Sequence, residues 1–171
     1  MKTSLKIGSA WGIPIELHIT FILLIAAVFG LSLYSFLFSS TTWNLSVFSQ
    51  HFYTFFLVIF LFFFVVLHEF AHSIVARHYG FKVRKIILYP IGGVSEIEEI
   101  PDNPSQEWRM AIAGPLTSII IGISLLVVSV IFAPQTLSFA AFITLTGNLV
   151  TDLAAVNLLL SAFNLIPAFP M

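Results

Sequence analysis

His68, Glu69 and His72 form the sequence H-E-x-x-H within a long apolar stretch of the chain. On a helix, which turns by about 100° per residue, the two histidines lie one turn apart on one face, so both imidazoles can reach one cation. Two neutral ring nitrogens at that spacing suit Zn²⁺, and the Glu69 carboxylate beside them can take a proton from a zinc-bound water. The motif therefore predicts zinc-dependent hydrolysis of an amide bond.

The position of the motif favours this interpretation over a simpler one, in which three polar side chains cap a helix end and reach water. His68 lies sixteen residues after Phe52 and eight before Ala76. It is therefore about 24 Å from one end of the apolar stretch and about 12 Å from the other. An ionisable group at such a depth costs about 2.5–3.5 kcal/mol on membrane-insertion scales, and three of them together indicate a functional site.

The composition predicts the elements that must position this motif. The chain is 58% hydrophobic and carries only 7 Lys+Arg and 8 Asp+Glu, which excludes a water-soluble globule. No charged residue occurs between Glu16 and Glu69, or between Arg109 and Asp152. We therefore predict an all-α polytopic membrane protein, in which residues 1–171 form a single domain. Four spanning helices are expected, over residues 18–38, 52–76, 111–132 and 137–163.

The connection between the second and third spans, residues 77–109, differs from the rest because it is charged. It contains five basic residues, which mark the cytoplasmic side, and Lys2 and Lys6 place the N-terminus on that same side. Residues 82–89 and 94–100 are rich in β-branched side chains and are separated by Pro-Ile-Gly-Gly, which predicts a β-hairpin. Asn103 is then expected to cap the helix that leads into the third span. The net charge of −1 excludes nucleic acid as a partner.

Taken together, three motifs resemble those of the site-2 protease family of intramembrane zinc metalloproteases, and its archaeal branch most of all. They are the His-Glu-Phe-Ala-His segment, Gly114-Pro115, and the ending Asn-Leu-Ile-Pro-Ala-Phe-Pro-Met. The resemblance implies that His68 and His72 bind zinc and that Glu69 is the catalytic base. It also implies that Asn164 binds the substrate or the attacking water, although a plain helix C-cap is the alternative for this residue.

In that family the third zinc ligand is an aspartate in the pattern N-x-x-P-x-x-P-x-D-G, and this sequence ends at Met171, one position before it. The resemblance therefore implies a truncated core that binds zinc weakly and has little or no peptidase activity. Asp152 is an alternative third ligand, because its depth along the fourth span is similar to that of His68. A structural role, through hydrogen bonds to Asn148 or to another helix, is the preferred interpretation of Asp152.

The expected partners are the lipid bilayer and membrane-spanning protein substrates, cut near the cytoplasmic side. A helical substrate must unwind locally to expose its amides, and an exposed edge of the predicted hairpin, at Val83 and Ile87, could hold it as an added strand. The alternative function is a non-enzymatic membrane carrier, in which the two histidines and a carboxylate form a transit site for a metal ion. Replacement of Glu69 by Gln separates the two functions.

Overall fold

The computed structural model describes residues 3–38, 45–98, 103–136 and 144–166. Four helices and a small sheet make up the fold. In chain order the elements are β1 (Ser4–Ala10), β2 (Ile13–His18), α1 (Ile19–Phe38), α2 (Leu45–His78), β3 (Val83–Tyr89), β4 (Gly92–Ile97), α3 (Pro104–Phe132), a 3₁₀ turn (Pro134–Thr136) and α4 (Leu149–Leu165).

The four strands form one sheet in the order β1-β2-β3-β4. The chain is mostly helical, as predicted, and the hairpin β3–β4 lies where the sequence predicted it. A second hairpin, β1–β2, precedes the first helix and was not predicted. Its strands are joined by a tight turn at Trp11 and Gly12, which both have positive φ, 46° and 79°. Such a turn matches the twist of the flanking strands. The strand β2 then pairs in parallel with β3 and joins the two hairpins.

The parallel pairing corrects one detail of the predicted hairpin. Val83 and Ile87 lie on β3, which has β2 on one side and β4 on the other. Ile87 pairs with Glu16 of β2 and with Val94 of β4, so it is interior to the sheet. Within the described residues, the edge strands of the sheet are β1 and β4. An added strand would therefore have to pair with one of those two.

The helices correspond to the predicted spans, although their lengths differ. Two stretches are long and apolar enough to cross a bilayer, Ser49–His78 in α2 and Pro104–Phe132 in α3. The apolar helices over Ile19–Tyr34 and Leu149–Leu165 are shorter, so the prediction of four spanning helices is not decided by length. On α2 and α3 many large apolar side chains lie on the outside of the bundle, as a bilayer requires. They include Phe52, Ile59, Phe63, Ile120, Ile123 and Val127.

Helix capping explains where α3 and α4 begin. Asn103 caps α3 as predicted, because its side chain accepts a hydrogen bond from the Ser105 amide at 2.9 Å. Asn148 caps α4 by accepting from the amides of Val150 and Thr151. The fourth helix therefore begins at residue 149 and not at 137 as predicted, and residues 137–143 lie outside the described part of the chain.

The apolar core joins the sheet to the C-terminal half of α2. Six buried side chains form it, contributed by both hairpins and by α1 and α2: Ile13, Phe21, Val65, Phe70, Ile86 and Leu88. Phe70 belongs to the H-E-x-x-H segment itself. Because such close-packed side chains resist displacement, the sheet is fixed in position against the helix turn that carries the motif.

Candidate metal centre

The motif lies on α2, where its three polar side chains are buried against α3 and β4. His68 is 1% exposed, and Glu69 and His72 are each 9% exposed. His68 Nδ1 lies 2.8 Å from the Ser118 hydroxyl, and His72 Nδ1 lies 2.7 Å from the Met110 carbonyl oxygen. Both partners belong to α3, so that helix fixes the orientation of both imidazoles.

The contact with Met110 fixes which nitrogen of His72 is free. A carbonyl oxygen has no proton to donate, so His72 Nδ1 carries the hydrogen, and in a neutral imidazole Nε2 is then the acceptor. The Nε2 atoms of His72 and His68 face each other at 3.2 Å. Two nitrogens bound to one tetrahedral zinc at about 2.05 Å would be about 3.3 Å apart. The separation of the pair therefore matches that of two histidine ligands on one zinc ion.

Gly114 of α3 makes this arrangement sterically possible. A Cβ atom built at Gly114 would lie 2.1 Å from His72 Nε2 and 2.6 Å from His68 Nε2. No side chain fits there without displacing an imidazole. Close packing at Gly114 therefore occurs directly against the Nε2 atoms of the two imidazoles.

Glu69 is held apart from the two imidazoles by β4. The Ser95 hydroxyl lies 2.9 Å from Glu69 Oε2, and it also lies 3.2 Å from the Ser73 hydroxyl. Gly93 lets β4 approach, because a Cβ built there would lie 2.3 Å from Glu69 Cγ. The Glu69 carboxylate is therefore fixed by β4, whereas the two imidazoles are fixed by α3.

The described residues do not complete a three-ligand site. Within residues 3–38, 45–98, 103–136 and 144–166, no three His, Cys, Asp or Glu side chains gather as a possible metal site. Asp152 is buried at 1% exposure, but it accepts hydrogen bonds from Tyr53 and Thr146. Tyr53 precedes His68 by fifteen residues on α2, about 22 Å along the axis. Asp152 therefore has the structural role that was preferred for it and is not the third ligand.

Asn164 lies near the end of α4 and is exposed. Its side-chain amide donates to the Leu160 carbonyl one turn earlier, at 2.7 Å. The helix C-cap is Ile166, so the alternative assignment of Asn164 as the cap is wrong. The hydrogen bonds of the described residues do not join Asn164 to the histidine pair. The last five residues of the terminal motif, 167–171, lie outside the described residues.

Sequence reasoning missed the residues that orient the motif. These groups are remote in sequence from α2, and only the folded structure shows their contacts with the motif: Ser118, the Met110 carbonyl and Ser95. Ser118 left one signal, since it is a small polar residue four positions after Gly114 in an apolar helix, on the same face. A backbone carbonyl such as that of Met110 leaves no signal in a sequence.

The comparisons with known proteins agree with the motif. The model of peptidase family M50 matches residues 55–151. A zinc metalloprotease of Methanocaldococcus jannaschii is 45% identical over 172 residues, which cover all of this chain and 43% of that protein. A relative from Synechocystis sp. is 32% identical over 176 residues, covering all of this chain and 42% of its own length. The chain thus spans less than half the length of these curated relatives.

One solved structure shares the fold. The site-2 protease from Methanocaldococcus jannaschii superposes with a TM-score of 0.66 at 44% identity, covering 98% of this chain and 67% of the other. The family match includes the whole of the H-E-x-x-H segment. The sequence resemblance is thereby confirmed, and this chain belongs to peptidase family M50, the site-2 protease family.

Proposed function

We propose that this protein is an intramembrane zinc metalloprotease that hydrolyses peptide bonds of membrane-spanning substrates near the cytoplasmic side of the bilayer. One observation carries the proposal: two buried imidazoles, each contacted at Nδ1 by α3, have their Nε2 atoms 3.2 Å apart. Nδ1 contacts of this kind are what orient histidine ligands in metal sites. The zinc metalloprotease of Methanocaldococcus jannaschii supports zinc as the metal.

In this proposal His68 and His72 hold the metal and Glu69 moves protons. Bound zinc would polarise a water molecule and the substrate carbonyl, which lowers the barrier to attack. The Glu69 carboxylate takes a proton from the water as the water oxygen bonds to the carbonyl carbon. It then donates that proton to the amide nitrogen as the C–N bond breaks. Ser95 keeps the carboxylate in place during both transfers, through its contact at 2.9 Å.

The substrate is proposed to bind as an extended segment along β4. This strand is an edge of the sheet within the described residues, and its Gly93 and Ser95 contact Glu69. A peptide paired with β4 would have its backbone next to the proton-transfer group, and main-chain hydrogen bonds would replace those lost on unwinding. The strand-addition hypothesis is therefore moved from β3 to β4.

The proposed topology places the N-terminus and residues 77–109 in the cytoplasm, because the basic residues collect there. Residues 133–136 are then outside. Cysteine labelling is clean, since the chain has no cysteine of its own. Gln135→Cys should react with an impermeant maleimide from outside and Lys82→Cys from the cytoplasm, and the reverse pattern would contradict the topology.

Replacement of Glu69 by Gln in the full-length protein tests the proposed function. The amide cannot accept the proton, so cleavage of a transmembrane substrate should fall by about 10²- to 10⁴-fold, as for loss of a general base. The zinc content, measured by elemental analysis, should not change. Glu107→Gln, an exposed position in the first turn of α3, is the matched control and should cleave at the wild-type rate.

The same experiment separates the enzyme from the metal-ion carrier. A carrier would bring zinc into sealed vesicles and would show no cleavage that depends on Glu69. Cleavage by Glu69→Gln near the wild-type rate would contradict the proposed proton-transfer role.

A further inference from the structure

Two buried polar atoms on α4 have no hydrogen-bond partner among the described residues, Asn157 Oδ1 and Ser161 Oγ. Both residues are 1% exposed, and they lie one turn apart on the same face of the helix. The amide nitrogen of Asn157 donates to the Leu153 carbonyl at 2.8 Å, so its oxygen is the side-chain atom without a partner. A buried acceptor without a donor costs free energy, and native structures keep few of them.

Asn157 lies in the wall of a cavity of about 120 Å³ between α2, α4 and the turn of the β3–β4 hairpin. All the other residues that line it are apolar, among them Leu61, Phe62, Val65 and Leu160. A buried water needs two to four polar partners, which these walls do not offer. The cavity suits an aliphatic side chain, and Asn157 is the one polar residue among those described in its wall.

The cavity also lies next to the proposed proton-transfer group. Val65 in its wall is four residues before Glu69, one turn earlier on the same face of α2. Gly92 in its wall precedes Gly93, whose backbone packs against Glu69. A peptide lying along β4 would therefore pass close to both the cavity and the Glu69 carboxylate.

We propose that this cavity is a side-chain subsite for the unwound segment of the substrate, next to the bond that is cut. An aliphatic substrate side chain fills the space between α2 and α4, and the peptide N–H of the substrate donates to Asn157 Oδ1. An unwound membrane peptide suits both features, since it has lost its own N–H partners and is rich in aliphatic side chains. This inference rests on the proposed function, and it adds a binding preference to it.

The test replaces Asn157 by Leu in the full-length protein, which removes the acceptor at nearly constant volume. The catalytic efficiency, kcat/KM, for a transmembrane peptide substrate should fall about tenfold, mainly through KM, because one hydrogen bond to substrate is lost. The zinc content should not change, and the melting temperature should stay equal or rise, since a buried unsatisfied group is removed. A purely structural role for Asn157 would instead lower the melting temperature and leave KM unchanged.

A matched pair of variants tests the cavity itself. Leu160→Trp, in the wall, should lower kcat/KM at least fivefold for a peptide with Leu next to the scissile bond, and less for the same peptide with Ala there. Leu159→Trp is the control, because Leu159 is the adjacent residue of α4 and is 36% exposed. The inference is wrong if neither tryptophan variant changes the ratio of kcat/KM between the two peptides. It is also wrong if Asn157→Leu has a lower melting temperature and an unchanged KM. Either result is expected if another protein segment or a lipid occupies the cavity.

Failure of the proposed function is recognised separately, as an absence of Glu69-dependent cleavage in the wild-type protein. Binding of fluorescently labelled Leu and Ala peptides to the protein, which then does not cleave them, tests the cavity directly. Asn157→Leu should weaken the binding of the Leu peptide about tenfold, and equal binding by the wild type and the variant would overturn the inference.

Discussion

The histidine pair on α2 and the Asp152 cluster at the start of α4 are both buried polar groups in an apolar bundle, and they differ in how fully they are satisfied. Asp152 accepts from the hydroxyls of Tyr53 and Thr146 and from the amides of Thr146 and Gly147. The two imidazoles are fixed through Nδ1, but their Nε2 atoms are directed only at each other.

The degree of hydrogen-bond satisfaction distinguishes polar residues that stabilise the fold from those that can bind a ligand better than burial does. A polar group whose lone pairs all have donors stabilises the fold and has nothing left to bind. A group that is fixed on one side and open on the other is pre-organised for a ligand. The depth of Asp152 along the span was compatible with a metal ligand, but its complete set of hydrogen bonds gives this residue a structural role.

The largest effect is expected at Gly114. In Gly114→Ala the added methyl would occupy the position between the two Nε2 atoms, since the built Cβ lies 2.1 and 2.6 Å from them. Zinc affinity and peptidase rate should both fall by at least about a hundredfold, more than for loss of an outer-shell partner. Gly30→Ala on α1 is the control, because nothing lies within 4 Å of its Cβ. Normal zinc retention by Gly114→Ala would show that the histidines do not bind the metal between them.

A smaller loss is expected when the orientation of His68 is released. Ser118→Ala removes the partner of Nδ1 and should weaken zinc binding about 10- to 100-fold, as measured by competition with a chelator. Ser124→Ala on the same helix is the control, because that hydroxyl donates only to the Ile120 carbonyl of its own helix. Equal affinity in both variants would mean that the Ser118 contact does not position the ligand.

Asp152→Asn should affect stability and leave the metal alone. The new amide group must face at least two donors, so unfolding should become easier by about 1–3 kcal/mol, the cost of leaving a buried group unsatisfied. Thermal unfolding in detergent measures this effect, and the zinc content should equal that of the wild type. Loss of zinc in this variant would mean that the satisfied cluster has a second role at the metal.

The smallest effect is expected at the open edge of the sheet. Ile97→Pro on β4 removes a backbone donor that faces away from β3, because the next amide, that of Glu98, donates to the Lys82 carbonyl. Cleavage of membrane substrates should therefore fall about threefold to tenfold, the value of a single hydrogen bond. Ser9→Pro on β1, the opposite edge, is the control and should cleave normally. Zinc should be retained by both variants. Unchanged cleavage by Ile97→Pro would exclude strand addition at β4.

What the sequence could predict was local. The spacing of His68 and His72 is a property of one helix, so their shared face needed no knowledge of the fold. The β3–β4 hairpin and the Asn103 cap were predictable for the same reason. The orienting partners of the histidines lie 38 and 50 positions away on α3, and no periodicity links them to α2.

The N-terminal hairpin was within reach but was missed. Leu5 and Ile7 alternate with polar residues before Trp11-Gly12, and Ile13, Ile15 and Leu17 alternate after it. Each segment is only six or seven residues long, and β2 runs directly into the apolar helix α1. The helical signal therefore dominated the interpretation. The parallel pairing of β2 with β3 joins distant segments, so the placement of Val83 and Ile87 inside the sheet was out of reach.

The parallel pairing of β2 with β3 also delays formation of the sheet during synthesis of the chain. Ile15 pairs with Ile86, so β2 has to wait while 71 further residues, including α1 and α2, are synthesised. At about 5–20 residues per second this delay is about 4–14 s. Ser95 of β4 emerges later still, so His68, Glu69 and His72 have already left the ribosome before the strand that contacts Glu69 is available. Each new molecule thus passes through an interval in which it carries its reactive groups without the strand that holds Glu69.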